Sequence, residues 1–303
     1  MSDPDGLFPG FVERTTYTGE ARLYARVGGQ GPPLLLLHGY PETHAAWHKV
    51  APALARHFTV VTPDLRGYGR SSCPPATFDH RAYSKQTMAH DMVLLMASLG
   101  FRRFAVMGHD RGARVAYRLA LDQPDIVDRL VIIDIMTTLD QWQPEQQSTR
   151  SRISHWALLA QPAPIPETLI GANPIEWLES RFRRGTLARS LAPIDPRALD
   201  DYRRGLTDPD HIHAACEDYR AGASVDLEDD RASAAARSRV MCPTLLLWGT
   251  AGSLAEIADP IALWQPWCRS VTGQAIESGH FLAEENPAAL LAAALPFLTA
   301  TEA

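Results

Sequence analysis

Continuous apolar runs recur along the chain, each followed by a polar stretch and then by apolar residues at helical spacing. The runs are PLLLL (33–37), FTVVTPD (58–64), RRFAVM (102–107), RLVIIDI (129–135) and CPTLLLWGT (242–250), with a last strand near Val271–Ile276. Unbroken apolar runs of this length read as strands buried on both faces, and the intervening periodicity predicts helices. Those helices fall near Trp47–Ala55, near Tyr83–Leu99, from Arg111 onward, near Pro260–Trp267 and over NPAALLAAALPFL (286–298). Two earlier β-rich segments, VERTTYT and ARLYARV, precede the turn GGQGPP. Strand and helix in alternation imply parallel βαβ units, and the short leading strands imply an antiparallel edge. The expected class is therefore α/β, a sheet covered on both faces.

The rhythm breaks between about Thr137 and Asp226, where helical patterns follow one another without strands. This predicts a helical cap at 137–226 inserted into a core made of 1–136 and 227–303. A net charge of −6 gives no basic footprint for nucleic acid. No apolar stretch is long enough for a bilayer, and the opening MSDPDGLFPG lacks the pattern of a secretory signal, so a cytoplasmic location is expected. Cys73, Cys216, Cys242 and Cys268 are too scattered for a CxxC site and read as free thiols. His211 and His213 have no third candidate ligand nearby, so no metal is expected.

The most informative stretch is GHDRGAR (108–114), which joins a buried strand to a helix. Strand, glycine-flanked polar residue and helix make a nucleophile elbow, whose central position commonly holds serine. Here it holds Asp110. Serine attacking a saturated carbon would end as an inert ether, whereas aspartate would form an alkyl ester that water can open at the carboxyl carbon. Asp110 therefore predicts alkyl transfer followed by hydrolysis. A base for that water is available in ESGHF, where His280 follows the last strand. The histidine needs an orienting acid, and Asp134 supplies one at the end of RLVIID, while the strand ending in WGT offers no acid before Glu256. Backbone N–H groups of Tyr40, in HGYP, and of Arg111 are the expected oxyanion donors. His38 and Gly39 are read as turn-formers.

At this point HGYPETHAAWH, DLRGYGRSS, GHDRGARVAYRLAL, HWALLAQPAP, CEDYRAGA and ESGHF together resemble the dehalogenase branch of the α/β-hydrolases, most of all the haloacetate dehalogenases, including those acting on fluoroacetate. The resemblance covers nearly the whole chain. It implies the α/β-hydrolase fold, a mostly parallel eight-stranded sheet with an inserted cap. It also implies hydrolysis of a 2-haloacid with water as co-substrate, no cofactor, and a homodimer. Arg111 and Arg114, three apart beside a helix N-terminus, suit a clamp for the substrate carboxylate. By resemblance, His155, Trp156 and Tyr219 would donate hydrogen bonds to the leaving halide.

One position departs from the pattern. Fluoroacetate-acting relatives tend to carry tryptophan where this chain has Gly185, which predicts a wider acid pocket or looser cap closure, and tolerance of a substituent on the α-carbon or of larger halides. Two other functions compete with this one. An epoxide hydrolase would use the same Asp–His–Asp set with two cap tyrosines, Tyr202 and Tyr219, although Arg111 would then burden an uncharged pocket. A noncatalytic binding protein on the same fold would have no need of an intact triad.

Overall fold

The computed structural model describes residues 6–142 and 154–300. Eight strands form one sheet: β1 Val12–Tyr17, β2 Arg22–Gly28, β3 Pro33–Leu37, β4 Thr59–Pro63, β5 Phe104–His109, β6 Val127–Ile133, β7 Thr244–Gly249 and β8 Val271–Ile276. Their order is β1-β2-β4-β3-β5-β6-β7-β8. The β1–β2 and β2–β4 pairs are antiparallel and every later pair is parallel. Burial explains the apolar runs: Leu34 to Leu37 and Leu130 to Ile133 are inaccessible to solvent, whereas the edge strand β1 keeps Thr and Arg side chains exposed.

The chain crosses from one side of β3 to the other between β4 and β5, so the loops after β3 and β5 leave the sheet in opposite directions. A crevice beyond the strand ends at such a switch point is where open α/β sheets bind ligands. Tyr40 lies after β3, and Asp110 lies directly after β5.

Helix boundaries shift for local reasons. The helix expected at Trp47–Ala55 divides into a 3-10 turn, His44–Trp47, and a short helix α1, Ala51–Leu54, which Pro52 can open because the first turn needs no N–H there. Helix α2 begins at Lys85, since Ser84 accepts a hydrogen bond from the Thr87 N–H and caps it. Helix α3, Asp110–Asp122, starts at the elbow residue itself.

Between β6 and β7 the described residues are helical: α4 Thr138–Gln141, α5 Ser154–Leu159, α6 Ile165–Gly171, α7 Pro174–Gly185, α8 Pro196–Leu206, α9 Pro209–Ala223 and α10 Val225–Ala235. Asn173, Asp195 and Asp208 each cap the next helix with a side-chain oxygen and are followed by proline, which is why three helices succeed one another so closely. Helix α10 runs across the boundary expected at residue 226, and residues 143–153 of the expected cap lie outside the described residues. After β7 come α11 Pro260–Trp264, α12 Leu282–Glu285 and α13 Pro287–Thr299. No helix among the described residues is long and apolar enough to cross a membrane.

Candidate active site

The elbow is tight because its glycines are needed. A Cβ on Gly112 would stand 2.4 Å from the Leu37 and His38 carbonyl oxygens, and one on Gly108 2.6 Å from Ala113 Cα. Helix α3 therefore packs directly on β3, and Asp110 at the bend is forced to a φ of +46°. Its carboxylate is buried, with Oδ1 accepting a hydrogen bond from the Tyr40 N–H at 3.0 Å. The other oxygen, Oδ2, stands 3.6 Å from His280 Nε2.

On the far side of the imidazole, Nδ1 donates to Asp134 Oδ2 at 2.6 Å. Asp134, also left-handed at a φ of +53°, accepts backbone N–H groups from Ser253 at 2.6 Å, Gly249 at 3.3 Å and Leu254 at 3.4 Å. The WGT strand end, which has no acid of its own to offer, thus contributes the amides that hold the acid of its neighbour. Burial opposes the charge on Asp110, but the hydrogen bond and charge of His280, with His109 and Arg111 behind, outweigh it and hold the carboxyl well below the usual range. Burial likewise opposes the imidazolium of His280, yet Asp110 and Asp134 together raise its pKa well above the ordinary histidine value.

Arg111 and Arg114 lie one turn apart, both buried, and both guanidiniums rest on Trp156, at 4.7 and 4.6 Å from the ring centroid. Their partners differ. Arg111 makes a fork to Asp218 through Nε at 3.0 Å and Nη2 at 2.6 Å, leaving Nη1 without a hydrogen bond. Asp218 is in turn ion-paired with Lys85 and accepts the Tyr68 hydroxyl at 2.6 Å. Among the described residues Arg114 finds only neutral acceptors, Thr138 Oγ1 at 3.0 Å and Gln141 Oε1 at 3.5 Å, and its Nε has none. Burial therefore lowers the Arg114 pKa, whereas at Arg111 burial is more than offset by Asp218 and the pKa rises.

His155, Trp156 and Tyr219 come together, Tyr219 lying 5.8 Å from His155 and 5.0 Å from Trp156 between ring centroids. Burial pushes the His155 pKa down to about 3, so the ring is neutral and carries one N–H to donate. A cavity of about 460 Å³ opens onto this arrangement, bounded by Asp110, His280, Tyr40, His155 and Trp156 among others. Arg111, Arg114, Asp134 and Tyr219 are not part of that lining. Gly185 belongs to the lining, and a Cβ there would meet the Phe281 ring at 2.4 Å, so Phe281 already fills part of the space left beside it. The Gly185 carbonyl also accepts the His280 N–H at 2.7 Å, which ties the histidine loop to α7.

Several contributors carry no recognisable signal in the sequence although they lie inside or beside the quoted motifs. Asp218 precedes Tyr219 in CEDYR. Glu42 and His109, in HGYPE and GHD, pair at 2.8 Å, and His109 Nε2 donates to the His280 carbonyl at 2.8 Å. His38 serves the turn as expected, its Nε2 accepting the Leu65 N–H at 3.0 Å. Tyr202 is absent from the cavity: it is buried and donates its hydroxyl to Glu284 at 2.6 Å. His211 and His213 engage Gly69 and Glu167, at 2.8 and 2.9 Å, and no cluster able to hold a metal occurs among the described residues.

An aspartate on a strained elbow, a histidine against it and a second aspartate behind, all at the carboxyl ends of a mostly parallel sheet, make this an α/β-hydrolase site. The chain belongs to that family: the pattern described as alpha/beta hydrolase fold matches residues 32–287. Among individual proteins it is similar to a fluoroacetate dehalogenase of Burkholderia sp, with 40% identity over 93% of this chain and 91% of the relative. It is also similar to a soluble epoxide hydrolase of Corynebacterium sp. (strain C12), with 32% identity over 91% of this chain and 93% of the relative. Among solved structures, ALR0039 from Nostoc sp PCC 7120 superimposes with a TM-score of 0.93 at 45% identity, covering 96% of this chain and 99% of that one.

Proposed function

We propose that this protein is a haloacid dehalogenase that converts a short 2-haloacid to the 2-hydroxy acid, with residues 137–226 acting as a cap over the α/β core. The observation that carries the reading is Arg114, a buried guanidinium one turn from the elbow aspartate with no carboxylate partner among the described residues. A substrate carboxylate supplies the missing anion and brings its α-carbon toward Asp110. The 40% identity to a fluoroacetate dehalogenase supports the same substrate class.

In the first step Asp110 Oδ2 forms a bond to the α-carbon as the carbon–halogen bond breaks, and the halide leaves with the bonding pair. Neutral N–H and O–H donors of His155, Trp156 and Tyr219 stabilise it. Forming the ester removes the negative charge of Asp110 from beside His280, so one of the two carboxylates that held the ring protonated is lost. The ring then gives up its proton more readily and becomes a base for water. Water attacks the Asp110 carboxyl carbon, its proton passing to Nε2, and the oxyanion forms on Oδ1, which the Tyr40 N–H already holds. The Arg111 N–H is the second expected oxyanion donor. The intermediate collapses by breaking the bond between the carboxyl carbon and Oδ2. The 2-hydroxy acid leaves with that oxygen and takes the proton from Nε2, and Asp110 is restored with an oxygen from water, its carboxyl proton returning to His280. Asp134 keeps the ring oriented throughout.

Epoxide opening on the same fold needs two cap tyrosines, and the Tyr202 hydroxyl is committed to Glu284. The test is halide release from fluoroacetate, chloroacetate and 2-chloropropionate by wild type and Asp110→Ala, with styrene oxide as control. Halide release that falls more than about 10³-fold in the variant is expected. Diol formation without halide release from any acid overturns the proposal.

A further inference from the structure

The cavity that opens onto Asp110 and His280 is larger than a two-carbon acid needs, since about 460 Å³ falls in the range that holds drug-sized ligands, roughly 300–1,000 Å³. Its lining includes three guanidiniums, Arg181 and Arg184 of α7 and Arg189 just beyond it, against two carboxylates, Asp110 and Glu256. Such a concentration is unexpected on a chain of net charge −6.

Helix α7 contains its own control. Arg183, which does not line the cavity, is ion-paired with Glu176 at 2.5 Å and Glu179 at 3.0 Å. Arg181 and Arg184 do line it and have no carboxylate partner among the described residues. Arg181 is half-buried on the Trp177 ring, 4.6 Å from its centroid, and its nitrogens reach only the neighbouring Ser180 hydroxyl, at 3.2 and 3.3 Å. Arg189 spends one nitrogen on the Arg184 carbonyl. The helix C-terminus favours cations in this turn, but it does so equally for Arg183 and does not account for which arginines remain without an anion. Burial also lowers the pKa of Arg181, a further sign of a cation short of counter-charge.

We propose that this wall selects 2-haloacids whose α-substituent ends in a second carboxylate, one carboxyl lying by Arg114 and the other taken by Arg181 and Arg184. Gly185 puts no side chain into the cavity beside these arginines, and Phe281 fills only part of the space left there. The inference rests on the dehalogenation reading and deepens it: Asp110 still displaces halide from the α-carbon, and the second carboxylate is a spectator that binds through guanidinium forks.

The test compares kcat/KM for halide release from 2-chlorosuccinate and 2-chloroglutarate with their neutral ω-amides, and the binding of glutarate with that of glutaramate by calorimetry. Wild type is expected to favour each dicarboxylate by about tenfold or more, and Arg181→Gln/Arg184→Gln to bring both ratios toward one. Chloride release from chloroacetate without a dicarboxylate preference, or a preference that survives the double variant, overturns this inference and leaves dehalogenation standing. Arginine-dependent preference for glutarate, with no halide released from any acid, supports the dicarboxylate site and overturns the reaction.

Discussion

His280 and Glu284 lie four residues apart, and each sits in a cluster of buried charge, but the two clusters resolve the cost of burial in opposite ways. At His280 the neighbours overcompensate. Asp134 is held by three backbone N–H groups, Asp110 by a fourth, and the imidazole between them keeps its proton. At Glu284 the neighbours fall short. Lys49 Nζ at 2.8 Å and the Tyr202 hydroxyl at 2.6 Å both favour its charge, but burial is the larger effect, Glu42 adds a like charge, and the pKa rises to about 7. His48, 3.8 Å away, is pushed down to about 4, chiefly by burial, and at neutral pH offers no cation. Backbone amides fixed by the fold carry no rotamer entropy and no competing bulk solvation, whereas a lysine tip a quarter exposed carries both. The same contrast separates Arg111, matched by Asp218, from Arg114, which has no carboxylate partner among the described residues.

The largest effect is expected from breaking the overcompensated cluster. His280→Ala leaves Asp110 and Tyr40 in place, so displacement of halide still proceeds while the ester cannot be opened. Steady-state turnover should fall by more than about 10³-fold, and a covalent adduct on Asp110 should accumulate. Intact-mass measurement after incubation with chloroacetate checks this. A variant that binds substrate but carries no adduct would contradict the assigned order of steps.

A smaller, more discriminating effect comes from the two arginines. Arg114→Gln removes a cation whose described partners are neutral, so kcat/KM for haloacids should drop by about 10²-fold while thermal stability changes little. Arg111→Gln instead leaves Asp218 with Lys85 and the Tyr68 hydroxyl but without its guanidinium fork, and destabilisation of about 3–5 kcal/mol is expected. Paired denaturation and kinetic measurements separate these outcomes. Equal losses of stability in both variants would mean that Arg114 serves the fold and not a substrate carboxylate.

The same division governs what is legible in the sequence. Strand ends in a parallel sheet are announced by apolar runs, so Asp110, Asp134 and His280 can be placed from the order of residues alone, and Tyr40 follows from the loop after PLLLL. The helices between β6 and β7 have no such landmark. His155, Trp156 and Tyr219 are reached through resemblance alone, because helical spacing cannot say which face of such a helix meets the sheet. Asp218 escapes for a related reason. Its partner lies 107 positions away in the chain, and nothing local marks a buried carboxylate as spoken for. Likewise, no periodicity shows that Tyr202 turns from the cavity to Glu284, or that Phe281 occupies part of the space beside Gly185.

The smallest expected effect sharpens the opening contrast without touching turnover directly. Because the folded-state pKa of Glu284 is raised from 4.5 to about 7, the unfolded chain releases this proton first as pH rises. The site therefore costs stability progressively between about pH 4.5 and 7, and the penalty stays constant above that window, reaching on the order of 3 kcal/mol. Glu284→Gln keeps its one oxygen for Lys49 and turns an NH2 toward the Tyr202 hydroxyl, which can accept it, and removes the titration. The variant should match wild type near pH 4.5 and exceed it at pH 8, which chemical denaturation at the two pH values measures. Wild type losing no stability across that window relative to the variant would show that Lys49 and Tyr202 do satisfy the Glu284 charge. The two clusters would then differ only in chemistry and not in how completely their charges are compensated.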